Sequence, residues 1–517
     1  MTADALGVPL PAARRPRRAA PAGPGPAGWA GSWRRFSHRY AAVLPAVAVV
    51  ALIAVPAAPA GDGSAGSGSV ADAASALLVV YCLVRVLRER ARPLTRTAAL
   101  VLGLPVLGVT VAALTAHEPA ATLPGLARYL QIFVLVPGAL LLLIRDRADF
   151  RLVAGAVVAL ALVQGSIGVT QYLTGTGASY MGENIRAVGT FGATDVMGMA
   201  TVVAYGLVIA IGFALAPVPA VRAPGDGPGP GRVDGHGVWG PARVGGHGVR
   251  GPGRQRAVAL VCAGLLTVPL ALSFSRGAWI ATAAAVVVQL TLSGVRRAVV
   301  VALCAGALGV VLVGGLGIGS QMIGERLDSI TQVADAPDRS VADRYTMWAA
   351  ATDMWRERPV TGVGLKGFPA HRDSHASLGL SSGSDTAGAG LGFQRQPLLS
   401  PHNMYLLVLS EQGVLGITAL AASWAALLVL ALRRLPGPRR SRDGHRGRGG
   451  HRGGDCALAV VGLLVWQLVD FSYADIGGPS TVLTAVMFGL AAWWALGPAR
   501  GLSGDRDRET RSGATSA

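Results

Sequence analysis

The sequence predicts an all-α integral membrane protein with about 12 transmembrane helices and one large extracytoplasmic loop that contains short helices. Of the 517 residues, 51% are hydrophobic and only 14% are charged, whereas soluble domains carry about 25% charged residues. Apolar runs of about 17–25 residues, long enough to cross a bilayer, recur along the chain. The basic residues gather in alternate connections between these runs. Together these observations exclude a soluble enzyme, a coiled coil and a wholly disordered chain.

Twelve apolar runs give the predicted transmembrane helices. The eighth and the eleventh, which are short, carry the weakest signal. In chain order, the runs lie at 40–59, 70–87, 97–116, 124–144, 152–173, 194–216, 257–274, 277–293, 298–317, 403–432, 456–473 and 479–497.

The distribution of arginine predicts the orientation. With the N-terminus in the cytoplasm, 35 of the 46 basic residues fall in cytoplasmic segments, as the positive-inside rule requires. We therefore expect a multi-pass protein of the cytoplasmic membrane with both termini in the cytoplasm. The net charge of +18 is interpreted as this topology signal, and nucleic acid is not an expected partner.

The spans and the stretches rich in Gly, Pro and Arg divide the chain into segments. The four cysteines lie inside apolar runs, so neither a disulfide framework nor a metal site is expected. The predicted segments are a disordered basic tail (1–38), helices 1–6 (39–217), a cytoplasmic Gly/Pro/Arg linker (218–256), helices 7–9 (257–317), an extracytoplasmic catalytic loop (318–402), helix 10 (403–432), a cytoplasmic Arg/Gly linker (433–455), helices 11–12 (456–497) and a disordered tail (498–517).

Two short motifs on the predicted outer side contain an arginine. Arg186 begins the stretch Arg-Ala-Val-Gly-Thr-Phe-Gly, just before the sixth span. It could equally well extend to the lipid headgroups, as arginines at span boundaries do. Arg276, in Ser-Phe-Ser-Arg-Gly-Ala-Trp, has no acidic neighbour in sequence. An arginine at the membrane surface needs an anion, such as a lipid phosphate.

The large loop holds a third motif. A helix is predicted over 340–357, with Arg344 and Trp348 four residues apart on one face. Pairing of Arg344 with Asp343, or stacking on Trp348, is the simpler alternative. The following Gly362–Gly367 stretch matches G-x-G-x-x-G, but it follows a helix rather than a strand, so a dinucleotide site is not expected. A tight turn that brings Lys366, the only lysine of the chain, near the membrane is the better interpretation.

The fourth motif starts the tenth span. Ser400 is predicted as the N-cap and Pro401 as the first helical residue. Helix capping does not explain His402. A histidine at a helix start is a candidate general base near neutral pH. Glu411 is an acid inside the predicted span, which usually indicates function. Three arginines and one histidine suit a diphosphate held by arginines while a base activates a hydroxyl group.

These motifs, taken together, resemble the O-antigen ligase and polymerase family of bacterial envelope enzymes. The best match is His402-Asn403, nine residues, and then Gly413-x-x-Gly416. The resemblance covers about residues 120–430. It also includes the stretch that begins at Arg186, Ser275-Arg276-Gly277, Arg344 with Trp348, and Pro359-x-x-Gly362-x-Gly364.

The resemblance implies a glycosyltransferase that needs no metal, nucleotide or other cofactor. Such enzymes move a glycan from an undecaprenyl diphosphate carrier to a hydroxyl group of a lipid, glycan or protein acceptor. It implies that Arg276 and Arg344 bind the diphosphate and that His402 deprotonates or orients the hydroxyl group. Arg186, Asn403, Trp348 and Lys366 are the expected substrate contacts. Ligase and polymerase remain open, as do a transporter and an inactive scaffold that binds the carrier lipid.

Overall fold

The computed structural model describes most of the predicted helices and the connections that carry the motifs. Nearly all of the ninth predicted span, most of both cytoplasmic linkers and nearly all of both tails lie outside the described residues. The described residues are 39–56, 69–89, 94–116, 119–180, 184–195, 197–216, 252–294, 299, 339–376, 384–388, 392–396, 398–435, 454–478 and 480–498.

Helices form most of this structure. A π-helical turn, Gln131–Leu135, joins α4 to α5, and a short 3₁₀ turn, Gly192–Asp195, precedes α7. The helices are α1 (Leu44–Leu52), α2 (Val70–Glu89), α3 (Arg96–Leu114), α4 (Pro119–Leu130), α5 (Val136–Leu143), α6 (Arg147–Thr174), α7 (Gly198–Leu215), α8 (Pro252–Leu272), α9 (Arg276–Ser293), α10 (Arg339–Glu357), α11 (Phe368–His375), α12 (Met404–Arg433), α13 (Gly454–Asp470) and α14 (Thr481–Leu496).

Among the described residues, eight stretches of helix are long and apolar enough to cross a membrane. They coincide with the second to eighth and the tenth predicted spans, which confirms a multi-spanning helical protein. The first predicted span contains the 9-residue α1, and the last two contain α13 and α14, of 17 and 16 residues. The total of twelve therefore stays a prediction.

Four short strands form a small antiparallel sheet that the sequence did not predict. Its order is β2 (Asn184–Arg186), β1 (Ala178–Tyr180), β3 (Ser384–Gly388) and β4 (Gly392–Gln396). Ser179 of β1 pairs with Ala387 of β3, so the segment that ends at Arg186 is joined to the large loop. Strands of three to five residues, rich in Gly and Ser, leave no alternating pattern from which to predict them.

Ion pairs tie the helices together at one end of the bundle, which we call the arginine end. Arg39 pairs with Asp146 at 2.6 Å, and Arg151 pairs with Asp455 at 2.6 Å. Asp146 also caps α6 by accepting from the N–H groups of residues 148 and 149. This end carries arginines of the predicted cytoplasmic segments, so the motifs of interest lie at the opposite end, the site end.

The loop between α13 and α14 is recessed at the site end. Asp455, at the start of α13, lies beside Arg151 of α6. From the level of this ion pair, α13 extends about 22 Å towards the site end, and α6 extends about 34 Å in the same direction. The α13–α14 loop (residues 471–478 and Ser480) therefore lies below the end of α6.

Helix α12 is not the straight span that the sequence predicts over 403–432. Gly413 interrupts it with φ 64° and ψ −167°. The rings of Tyr405 and Trp424 lie 6.0 Å apart on either side of this break. In a straight helix, residues 19 positions apart would be about 28 Å apart. The first half of α12, before Gly413, therefore folds back against the second half.

The predicted start of this helix is also corrected. The N-cap is Asn403, whose side-chain oxygen accepts from the N–H of Leu406 at 3.1 Å. Ser400 and Pro401 precede the helix, and His402 has a left-handed backbone with φ 47°. Asn is as good a cap as Ser, and the contacts of residues 403 and 404 with the α13–α14 loop select it. This turn, rather than a regular helix start, presents His402.

Candidate functional site

The α13–α14 loop joins the third and fourth motifs. The backbone N–H of Met404 donates to the carbonyl oxygens of Phe471 and Ala474, at 2.9 and 3.0 Å. The Asn403 amide donates to the carbonyl of Ser472 at 2.9 Å. From α10, the Arg344 guanidinium reaches the carbonyl of Tyr473 at 3.5 Å. Arg344 and His402 are therefore held at the same short loop, although 57 residues separate them in the chain.

Trp348 makes a second connection between α10 and His402. Its indole N–H donates to the carbonyl of Pro401, directly before His402, at 2.9 Å. The ring of Tyr345 meets the Trp348 ring edge to face, with centroids 5.6 Å apart. On the other side of α10, Met347 and Ala350 are fully buried. The helix is thus fixed by apolar packing on one side, while Arg344 and Trp348 face the His402 turn.

Arg276 is the first residue of α9, at the same loop. Ser275 caps this helix by accepting from the N–H of Ala278 at 3.2 Å. A Cβ atom on Gly277 would lie 2.7 Å from the Tyr473 ring. Only glycine lets the first turn of α9 approach the α13–α14 loop this closely, which explains its place directly after Arg276.

Two glutamines of α6, the buried Gln164 and the half-buried Gln171, hold the segment that follows Arg186. The Gln171 oxygen accepts from the N–H groups of Val188 and Gly189 at 3.1 and 2.9 Å. The Gln164 amide donates to the hydroxyl of Thr190 at 2.7 Å, and its oxygen accepts from the Thr190 N–H at 2.9 Å. Without these bonds the polar backbone would be costly to bury. The glutamines therefore fix the backbone that carries Arg186.

The first two motifs are joined directly. The N–H of Ala187 donates to the carbonyl of Leu272, at the end of α8, at 3.3 Å. Leu272 lies four residues before Arg276 and Ala187 directly follows Arg186. The structure thus brings all four motifs to one end of the bundle, with the α13–α14 loop linking three of them.

Asp475, in the α13–α14 loop, is the acidic group that acts on His402. Burial lowers the pKa of His402 below its ordinary value, the Asp475 carboxylate opposes this decrease, and the positive charge of Arg344 adds to it. The Oδ2 atom of Asp475 is buried and has no hydrogen-bond partner among the described residues. A lowered pKa keeps the imidazole neutral at physiological pH, the form a general base needs.

Asn403 and Lys366, which the sequence predicts as substrate contacts, make other contacts in the structure. Asn403 uses its oxygen as the helix cap and its amide on Ser472, so its visible role is to position His402. Lys366 is exposed in the turn before α11, where its side chain lies beside Gly125 of α4. That turn lies at the far end of α10 from Arg344. Substrate contact by either residue stays a prediction.

The sequence motifs did not point to the α13–α14 loop, to Asp475 or to the two glutamines. Gln164 and Gln171 are polar residues seven positions apart in a mostly apolar span, and this spacing places them on one helix face. The spacing of the two glutamines was therefore a signal that the sequence contained. Asp475 gave no comparable signal, because one acidic residue between two spans is common.

The arrangement can bind an anion and move a proton. Guanidinium groups form paired hydrogen bonds to phosphate oxygens, and a neutral imidazole can accept a proton from a hydroxyl group.

Residues 260–421 match a family model described as O-antigen ligase. A comparison with curated proteins finds no match. The matched segment contains Arg276, Arg344 and the His402 turn, and it excludes Arg186 and the α13–α14 loop. It also covers the first half of α12 and its break at Gly413. Over residues 260–421 the chain is therefore similar to the O-antigen ligase family.

Proposed function

We propose that this protein transfers a glycan from an undecaprenyl diphosphate carrier to a hydroxyl group of an acceptor, on the outer face of the cytoplasmic membrane. The convergence of Arg344 and His402 on the α13–α14 loop carries the proposal. A cationic group and a neutral base at one recessed site fit a reaction in which a diphosphate leaves and a hydroxyl group attacks.

In the proposed reaction the acceptor oxygen attacks the anomeric carbon of the carrier-linked sugar. The bond from this carbon to the diphosphate oxygen breaks, and its electron pair leaves with the diphosphate. His402 takes the proton of the attacking hydroxyl group. Arg276 and Arg344 stabilise the negative charge that develops on the diphosphate. A single displacement of this kind inverts the configuration at the anomeric carbon.

Further residues support this chemistry. Arg186 is a phosphate or glycan contact in the proposal, held in place by Gln164 and Gln171. Trp348 offers a ring face beside His402 for a sugar. No metal or nucleotide takes part in the proposed step, so chelation by EDTA should leave the rate unchanged.

The sidedness of the proposal rests on the positive-inside rule. Arg39 and Arg151, at the arginine end, belong to segments that are predicted to be cytoplasmic. The site end would then face outward, where the carrier lipid presents its glycan. A reporter fused at Gly477, which is exposed in the α13–α14 loop, should be active only outside the cell.

The test is release of undecaprenyl diphosphate by protein purified in detergent. We would supply a carrier-linked glycan extracted from the host and compare the wild type with His402→Ala. We expect the rate to fall by about 10²–10⁴-fold, the usual contribution of a general base. The control is His375→Ala, another histidine of the large loop, which pairs with the exposed Glu357 at 3.0 Å. It should stay within about twofold, because its contacts with Glu357, Ser374 and His371 involve no candidate site residue.

The size of the product then separates ligase from polymerase, since a polymerase lengthens the glycan. A transporter would bind the carrier-linked glycan without releasing undecaprenyl diphosphate. Equal release by the wild type and His402→Ala would contradict the proposed role of the histidine.

A further inference from the structure

Two helices that carry candidate site residues end at one corner of the fold. Trp348 of α10 lies opposite Pro401, and the N–H of Val363, just after α10, donates to the carbonyl of Ser410 at 2.9 Å. Helix α10 and the first half of α12 therefore run side by side in the same direction. Arg344 and His402 lie near their starts, and the turn after α10 meets Gly413 at their ends. We call this meeting point the corner.

The backbone groups freed by the break at Gly413 are satisfied at the corner by the turn 359–364. The carbonyls of Ser410 and Glu411 accept from the N–H groups of Val363 and Gly364, at 2.9 and 3.1 Å. On the other side of the break, the N–H of Val414 donates to the carbonyl of Pro359 at 2.8 Å. Broken helix ends need such partners when they are buried. The turn thus closes the gap that the break creates.

Glycines allow this close approach. Gly362 has φ 69° and Gly364 has φ 99°, a left-handed backbone that favours glycine. A Cβ atom on Gly364 would lie 2.7 Å from the Cα of Ala116, and the next residue, Leu365, donates to the carbonyl of Ala112 in α3 at 3.0 Å. The G-x-G pattern therefore serves to insert the turn between α3 and α12.

Glu411 is the buried acidic group of the corner, and the proposed reaction makes no use of it. Its side chain is only 2% exposed. Its carboxylate accepts from the N–H of Phe368, the first residue of α11, at 3.3 Å. It also interacts with the backbone N–H of Lys366 and with the charge of that side chain. The carboxylate therefore holds the 366–368 segment, which continues directly from the turn that closes the break.

We propose that Glu411 is a positioning residue that fixes the separation of Arg344 and His402. It acts through the corner, because it clamps the segment after α10 onto the first half of α12. The proposal rests on the proposed glycosyl transfer for its kinetic consequence. Its structural consequence, a rigid corner, is measurable without any substrate.

The experiment compares three variants of the full-length protein in detergent. Glu411→Gln keeps an oxygen that can accept from Phe368, whereas Glu411→Met has a similar length and cannot accept. Ser410→Ala is the control, since the buried Ser410 hydroxyl donates only to the carbonyl of Leu407 in its own helix. Hydrogen–deuterium exchange of peptides covering 360–370 reports the corner, and release of undecaprenyl diphosphate reports the reaction.

We expect Glu411→Gln and Ser410→Ala to keep both the amide protection of 360–370 and the turnover within about threefold. Glu411→Met should lose the protection and at least about tenfold in kcat, because small displacements of reacting groups are costly. The KM for the carrier-linked glycan should change less than kcat. If Glu411→Met fails to fold, Glu411→Asp, one methylene shorter, is scored in its place.

Two results would overturn the proposal. One is a Glu411→Gln protein that loses turnover as severely as Glu411→Met while its corner stays protected, which would mean that the charge itself acts. The other is a Glu411→Met protein whose corner and turnover are both unchanged. If no variant, wild type included, releases undecaprenyl diphosphate, the proposed function fails, and the exchange data still decide whether Glu411 holds the corner.

Discussion

The two halves of α12 come from one apolar run yet behave as different structures. The second half, 414–433, has 20 residues and is about 30 Å long, the thickness of the hydrocarbon layer. It exposes Val414 and Val429 and buries Leu427. The first half buries Ser410, Glu411 and Gln412. One half is built to cross a bilayer, and the other is built to hold a turn and to present His402.

The difference teaches that the length of an apolar run is not the length of a span. The first half adds about nine residues that the bilayer does not require. Its buried polar side chains and Gly413 separate the part of α12 that forms the site from the part that crosses the bilayer. Changes in the first half and its neighbours should affect turnover, and changes in the second half should affect stability alone.

The largest effect is expected from Gly413→Ala, which would oppose the break that lets the first half fold back against the second. Gly413 has φ 64°, and a Cβ atom there would collide with the carbonyl oxygen of Val360. Strain of this kind costs about 1–3 kcal/mol before the collision is counted. We expect a lower melting temperature and at least about a 100-fold loss of turnover. Gly103→Ala in α3, where a Cβ meets nothing within 4 Å, should be neutral; equal losses in both variants would contradict this role of the break.

Arg344→Lys tests the helix that packs against the first half. Lysine keeps the charge but loses the planar donor pair that matches a phosphate. We expect turnover to fall by about 10–100-fold with an unchanged melting temperature. The matched control is Arg356→Lys on the same helix, where the side chain is 70% exposed and pairs with Asp353. A similar loss in the control would indicate a general charge effect rather than a site at Arg344.

Leu427→Ala tests the second half. Leu427 is 2% exposed, and removing a buried leucine side chain costs about 2–5 kcal/mol. We expect a clear decrease in melting temperature, while turnover per folded molecule at low temperature stays within about twofold. Thermal denaturation and the release assay on the same sample separate the two quantities. A specific loss of turnover would show that the two halves are not independent.

The smallest effect is a shift in pH dependence from Asp475→Asn. The Asp475 carboxylate raises the pKa of His402, so its loss should lower that pKa further. A base must be neutral to act, and activity is lost as the pH falls through its pKa. The acid limb of the pH–rate profile should therefore move to lower pH. A shift to higher pH would contradict the assignment of His402 as the base.

Most of the helices and the motifs of the candidate site could be predicted from the sequence, because they depend on residues close together in the chain. The apolar runs, the arginine distribution and a helix over 340–357 follow from composition and spacing, and the helix is present as Arg339–Glu357. The motifs around Arg276, Arg344 and His402 also indicated the family. The small sheet gave no comparable signal, since its pairing of Ser179 with Ala387 crosses more than 200 residues.

The sequence by itself determined that the chain is a membrane protein and which residue types could serve a diphosphate. Both depend on side-chain chemistry and on periods of a few residues. Only the tertiary structure decided that Asn403 is a cap, that Lys366 lies at the corner, and that Asp475 faces His402. Each of these depends on contacts between segments far apart in the chain. The fold of α12 at Gly413 was decided there as well, because a break in a helix is stable only when another segment supplies its missing hydrogen bonds.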